Sequence, residues 1–394
     1  MQIKEVPYWI ALAHLPRWGA AKINALVVKF FHEEKITIED FFHLDEAKWK
    51  SGYGLITPDV NDLLKAKSDL PNLAFLAETL LNEGYEIIPL NSPEYSPTLK
   101  SNLKTTHSPV VLYIKGNKQL MKEKSVAIVG SREASEISLK FTDNIAKLAS
   151  KEYKIVVSGF AKGVDKQALD SAIKYKGQSI IVLPQGILTF TSGFKTYYKQ
   201  IVDGDVLVLS SFFPKAPWQI ELAMARNPVI YGLADEIYVA ESSEKGGTWS
   251  GVVDGLRKKR KIYVRKPGSD EKNANNLLIQ KGAVAVDFDG KEIVTGSQPV
   301  DLFEQHSSIV SEPGITELVK KETDESIEKK ILSALNGNPL TAKELLIKLK
   351  IDWPSKKLTS ILTKIPQIEV IKTKKTNQYK IKENFTQTQR TLFD

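Results

Sequence analysis

An apolar run, Ser125 to Val129, stops at Gly130 and opens onto a hydroxyl, Ser131, and a full positive charge, Arg132. Two similar breaks follow. Residues 155–165 run from Ile-Val-Val into Ser158, Gly159, Phe160, Ala161, Lys162, Gly163, Val164 and Asp165. Residues 241–251 contain Gly246, Gly247 and Thr248. The chemistry these types support is anion binding. Glycines let backbone N–H groups approach an anion closely, and a helix N-terminus adds partial positive charge. Arginine grips phosphate with two prongs. The candidate phosphate contacts are therefore Gly130, Ser131, Arg132, Gly159, Lys162, Gly163, Gly246 and Gly247. Phe160, beside Lys162, is either a stacking platform for a base or a core residue.

The same residues exclude other chemistry. The first break lacks the second and third glycines of the dinucleotide fingerprint, and no Gly-Lys-Ser/Thr follows a strand as in a P-loop. Cysteine is absent, and the five histidines all lie outside residues 125–290. No thiol or histidine catalysis, metal site or cofactor is expected there.

These breaks need strands and helices to hold them. Between 125 and 290, near-continuous apolar segments alternate with helical periods, the pattern of a parallel sheet covered on both faces. The expected fold is α/β, a Rossmann-like doubly wound sheet, in which ligands bind past the carboxyl ends of the strands. Residues 1–85 predict short helices in the style of a helix-hairpin-helix (SAM-like) domain. Residues 86–290 form the extended Rossmann-like domain, with 86–124 a strand-containing connector. Residues 291–325 read as a linker, 326–384 as a winged helix, and 385–394 as a mobile tail.

The formal net charge is +8, and residues 326–394 carry all of that excess, with 14 basic and 6 acidic side chains. A basic C-terminal module suits a polyanion or a solvated lysine-rich surface equally. Residues 256–266 are the densest basic run and either extend an anion path or cap a helix end. No apolar run reaches the roughly 18–20 residues of a membrane helix. A cytoplasmic protein without membrane attachment is the expectation.

In order along the chain, Val-Ala-Ile-Val-Gly-Ser-Arg, Val-Val-Ser-Gly-Phe-Ala-Lys-Gly-Val-Asp, Ile-Ile-Val-Leu-Pro-Gln-Gly and the segment around Arg226-Asn227 resemble the DprA (Smf) family of DNA-processing proteins. The resemblance runs from about residue 10 to 384. It implies an extended Rossmann domain that binds single-stranded DNA, forms a homodimer and hands the strand to a RecA-type recombinase during natural transformation. On matching positions it implies that Ser131, Arg132, Lys162, Gly163, Arg226 and Asn227 line the pocket, with Lys195 near a family basic stretch. It implies a binding protein, not an enzyme. The chain departs from the family at several points. The family's Arg-Asn-Arg ends in Pro228 here, its His after Gly-x-Asp is Leu169, and its Gly-Ser-x-x-Thr-Ala turn is replaced from Gly246 to Gly251. These departures leave two alternatives open: a nucleotide-sensing or nucleotide-hydrolysing Rossmann protein, and a diverged relative acting in defence against foreign DNA. Against hydrolysis, Gly251 stands where a catalytic Glu is expected. In the tail, Gln389, Leu392 and Phe393 are similar to the peptide that replication proteins insert into the sliding clamp.

Overall fold

The computed structural model describes residues 3–293, 331–335, 339–349, 355–363, 365, 367–372 and 377–382. The chain divides into two compact units, residues 1–300 and 301–394. The expected linker 291–325 and the tail residues Gln389, Leu392 and Phe393 fall, apart from 291–293, outside the described residues.

The first unit begins with six helices: α1 (Val6–Ala13), α2 (Ala20–Val27), α3 (Ile38–His43), α4 (Glu46–Tyr53), α5 (Thr57–Ser68) and α6 (Leu70–Asn82). Local chemistry sets their ends. Thr37 and Asp40 form a reciprocal capping box at α3, and Gly54 closes α4 in the left-handed region. Trp9, Ile10, Phe30, Phe41, Phe42 and Trp49 form the centre of the helical layer. The same cluster continues into Tyr113, Ile181, Leu183 and Val208 of the sheet. The helices therefore share one core with the sheet.

The sheet has nine strands: β1 (Glu86–Pro89), β2 (Val111–Lys115), β3 (Ser125–Val129), β4 (Ile155–Ser158), β5 (Ser179–Val182), β6 (Val206–Ser210), β7 (Glu236–Val239), β8 (Ile262–Arg265) and β9 (Val284–Val286). Their order is β1-β2-β6-β5-β4-β3-β7-β8-β9. From β6 to β9 every pairing is parallel, while β1–β2 and β2–β6 are antiparallel. The connector expected over 86–124 thus supplies the antiparallel edge of the same sheet.

Remaining helices cover both faces: α7 (Pro97–His107), α8 (Glu136–Lys151), α9 (Val164–Lys174), α10 (Thr191–Thr196), α11 (Tyr198–Val202), α12 (Ile220–Leu233), α13 (Gly247–Arg257) and α14 (Asn275–Gln280). The period of two sorts the strands: Val126 and Ile128 join the cluster with α8 and α9, whereas Ala127 and Val129 join the cluster with Val229, Ile230 and Val252 of α12 and α13. Because both faces are buried, each strand reads as a continuous apolar run.

One half-buried group makes the unit acid-sensitive. His14, at the end of α1, stacks on Tyr113 and meets Phe213 edge-on, and its Nε2 shares a 2.9 Å hydrogen bond with the Tyr113 hydroxyl. Burial lowers its pKa from 6.5 to about 4. Below pH 6.5 the unfolded chain binds a proton that the folded one refuses, so stability falls as pH drops from 6.5 towards 4, by up to about 3 kcal/mol. Urea unfolding at pH 7 and pH 4.5 should show this loss, and His14→Gln should flatten it. An equal loss in both proteins would show that other groups set the acid response.

The second unit holds helices Ala342–Leu349 and Ser355–Leu362 and a three-stranded antiparallel sheet. Its strands are β10 (Leu340–Thr341), β11 (Ile368–Lys372) and β12 (Asn377–Ile381), in the order β10-β12-β11. Leu345, Leu358, Leu362 and Tyr379 form its core with Ile331 and Leu335.

Candidate functional site

The strand order reverses at β3. The chain passes outward through β4, β5 and β6, then returns to place β7 on the other side of β3. The carboxyl ends of β3, β4 and β7 therefore frame the crevice of a doubly wound sheet. The three Gly-containing breaks occupy these ends.

They are joined to one another. Ser131 N donates to Glu241 O at 2.9 Å, Val164 N donates to Ser131 O at 3.2 Å, and Thr248 Oγ1 donates to Gly130 O at 3.1 Å. Gly163 lies at φ +84°, and a Cβ there would overlap Ser131 O. The loops after β3 and β4 meet through that glycine. Arg132 and Lys162 stand exposed on these two loops. Neither makes an ion pair or side-chain hydrogen bond among the described residues. Two exposed cations, neither of them in an ion pair among the described residues, thus stand on adjacent, mutually braced loops.

Arg226 is placed differently from the sequence expectation. It is only 4 % exposed, and its Nη1 donates to Gly159 O and Val182 O, both at 2.6 Å. Its Nη2 lies 4.0 Å from Asp165 Oδ2. Burial pushes the Asp165 carboxyl above its ordinary pKa, against the pull of the Arg226 guanidinium. Arg226 thus ties the ends of β4 and β5 from beneath and does not line the surface. The sequence could not show this, because α12 carries Arg226 inward only through its packing on the sheet.

Phe160 takes the left-handed conformation at φ +64°, a strained geometry for a bulky residue that costs on the order of 1–3 kcal/mol. Its ring meets Phe190 and Tyr197 edge-on, with centroids 4.9 and 5.7 Å apart. Phe160 is half-buried, so its ring anchors the loop on the aromatic core while part of its surface stays open. Asn227 and Gly247 lie side by side where α12 meets α13, lining a cavity of about 160 Å3 with Tyr231 and Asp254. Gly246 caps α13. Lys195 is exposed on α10, whose Phe194 leans on Tyr85 towards the β1 edge.

The dense basic run is partly neutralised. Arg257 and Lys258 share Asp254, and Lys261 pairs with Glu292. Arg260 donates to Tyr231 O and Ala234 O at the end of α12. Arg265 is buried, in a two-pronged pair with Glu271. Lys259 and Lys266 are exposed and unpaired among the described residues, so the segment caps a helix end and also keeps free charge.

Two features escaped the sequence. First, Glu241 occupies the N-terminus of α8. Its Oε2 accepts from Ser135 N at 3.0 Å, Ser135 Oγ at 2.6 Å and Ser138 Oγ at 2.8 Å. In dinucleotide-binding sheets a pyrophosphate takes the corresponding position; here the chain's own carboxylate does. Second, the loop after β6 exposes Lys215 and Trp218, the latter 52 % exposed. The first part of that loop is tied to the segment after β5: Gly186 N donates to Ala216 O, and Leu188 N donates to Pro214 O. An aromatic between prolines and polar residues just past a strand was the available signal. At about 4.8 Å per strand, the loops from β6 to β7 span roughly 19 Å along one edge. That length describes a track, not a single-phosphate pocket. Among the described residues no group of three or more His, Asp or Glu is suited to a metal ion, and no helix is long and apolar enough to cross a membrane.

Comparison with known proteins agrees with this geometry. The DNA processing protein DprA of Streptococcus pneumoniae is 32% identical over 183 residues, 45% of this chain and 64% of that protein. The match thus spans less than two thirds of that relative's length. DprA of Bacillus subtilis is 28% identical over 223 residues, 55% of this chain and 73% of that protein. The X-ray structure of the Streptococcus pneumoniae protein superimposes with a TM-score of 0.55 at 23% identity, covering 73% of this chain and 95% of that one, a likeness of fold. The sequence pattern of DNA recombination-mediator protein A matches residues 86–296, more than half of the chain. The chain belongs to that family of DNA-processing proteins.

Proposed function

We propose that this protein binds single-stranded DNA by its phosphate backbone along the carboxyl edge of the sheet. The observation that carries the reading is the pair Arg132 and Lys162, exposed, unneutralised and braced together through Gly163 at the point where the strand order reverses. Lys215 and Trp218 extend the track and add a face on which a base can stack. The protein acts on this reading as a cytoplasmic binding protein without catalysis. It protects the strand in DNA processing or natural transformation and passes it, as a homodimer, to a RecA-type recombinase. The second unit is proposed as a winged helix, and the tail residues Gln389, Leu392 and Phe393 as a contact for the sliding clamp.

The nucleotide-sensing alternative loses ground to Glu241, which fills the helix N-terminus that a free nucleotide's phosphates would use. Fluorescence anisotropy of a labelled single strand over a series of salt concentrations separates the two. Three phosphate contacts, from Arg132, Lys162 and Lys215, predict a slope of log K against log salt near −2, at about −0.7 per contact. Mononucleotide should not displace the strand. Displacement by mononucleotide, or a flat salt response, would move the function to the sensing alternative.

A further inference from the structure

We infer that Arg226 is a positioning residue that sets the shape of the two cation-bearing loops without touching the DNA; this rests on the binding reading above. Its guanidinium donates to the carbonyl just past β4, Gly159 O, and to the last carbonyl of neighbouring β5, Val182 O. A Cβ on Gly159 would overlap Nη1, so the glycine is present because the guanidinium passes there. From that fixed point the chain turns through Phe160 at φ +64° and reaches Gly163 at φ +84°. Gly163 rests on the Ser131 and Arg132 carbonyls, and Val164 N donates to Ser131 O. Arg226 thus fixes one end of the segment Gly159–Gly163, and the backbone of Ser131 and Arg132 fixes the other.

The buried cation is not surplus charge looking for a phosphate. Nη1 already serves two carbonyls and Nη2 faces Asp165, while Nε has no partner among the described residues. A side chain so enclosed cannot approach a strand lying outside the edge. Its contribution is to hold a strained turn that would otherwise relax. Lys162 then stays on a loop held against the one that carries Arg132.

A phosphate contact and a positioning residue differ in the salt response. Removing a contact lowers both affinity and slope, whereas removing a positioning residue makes the loosened loop pay an ordering cost on binding, so affinity falls while the contacts of the bound state, and with them the slope, are kept. Arg226→Met in the full chain should weaken single-strand binding about tenfold, with the slope within about 0.3 of wild type, whereas Lys162→Ala should lose about 0.7 of slope. Gly159→Ala keeps every charge and disturbs the same joint, so it should reproduce the affinity loss if Arg226→Met fails to fold. Hydrogen exchange gives a reading independent of DNA: the amides of Val164 and Lys166, which bond Ser131 O and Ala161 O across this joint, should exchange faster in either variant, with the α8 and β8 amides unchanged. A slope loss in Arg226→Met equal to that of Lys162→Ala, or unchanged exchange at Val164 and Lys166, would overturn the inference. Failure of wild type to bind single strands, with faster loop exchange in the variants, would overturn the binding reading and leave the positioning role in place.

Discussion

Replacing Arg132 with alanine should weaken single-stranded DNA binding tenfold or more and reduce the salt slope by about 0.7. A hydrogen bond to a charged group is worth about 1.5–3 kcal/mol, which spans roughly 10- to 150-fold in affinity. Arg132 is exposed and makes no side-chain bond within the described residues. Its removal therefore leaves the fold intact, and the thermal midpoint should not move. The loss should be the same for every base sequence, because the contact is to the backbone. Arg257→Ala is the matching control: that arginine is also exposed, but Asp254 neutralises it 2.6 Å away. Anisotropy titrations on wild type and both variants check this. If Arg132→Ala binds as tightly as wild type, the anion seat between β3 and β4 is not where the strand lies.

Trp218→Ala should cost a comparable amount by another mechanism. Stacking of a base on an aromatic ring contributes about 1–3 kcal/mol and tolerates any base. Trp218 is half exposed, two residues beyond the hydrogen bonds that Gly186 and Leu188 make to Ala216 and Pro214. Tying the loop so close to the ring lowers the ordering cost at binding. Affinity should drop roughly 5- to 150-fold while the salt slope stays at the wild-type value. Trp218→Phe should recover much of the loss. A slope change in Trp218→Ala would show that its loop moves with the substitution and carries Lys215 away. Unchanged affinity would shorten the track to the β4–β3–β7 loops.

The two variants together divide the interface into charge and stacking. That division follows from position: the cations of the β3 and β4 loops cluster at the reversal of strand order, while the exposed ring sits two strands beyond β4, after β6. A strand crossing the edge meets the ring and the charges at different nucleotides. The free edge is also distinguished from what surrounds it. Arg260 and Arg265 carry the same guanidinium as Arg132 but are engaged by carbonyls and by Glu271.

What the sequence determined by itself is local. The apolar runs of β3 to β8, the helices between them and the Gly-polar breaks at strand ends follow from period, composition and turn chemistry within a dozen residues. The breaks after β3 and β4 were legible for the same reason: Gly130, Ser131 and Arg132 are neighbours, as are Gly159 to Gly163. Antiparallel edge strands β1 and β2 were legible only as a connector, because pairing with β6 joins residues about a hundred positions apart.

Tertiary structure alone decided which charges are free. An arginine has the same charge in any sequence, and only distant partners show whether it is engaged. Arg226 is satisfied by carbonyls 67 and 44 residues away, and Ser135 at the N-terminus of α8 finds Glu241 at a separation of 106. Asp254 reaches the basic run from within its own helix, but Arg260 turns back 26 and 29 residues to cap α12. Desolvation makes each of these pairings decisive, since a buried polar group without a partner is costly and one with a partner is no longer available to a ligand.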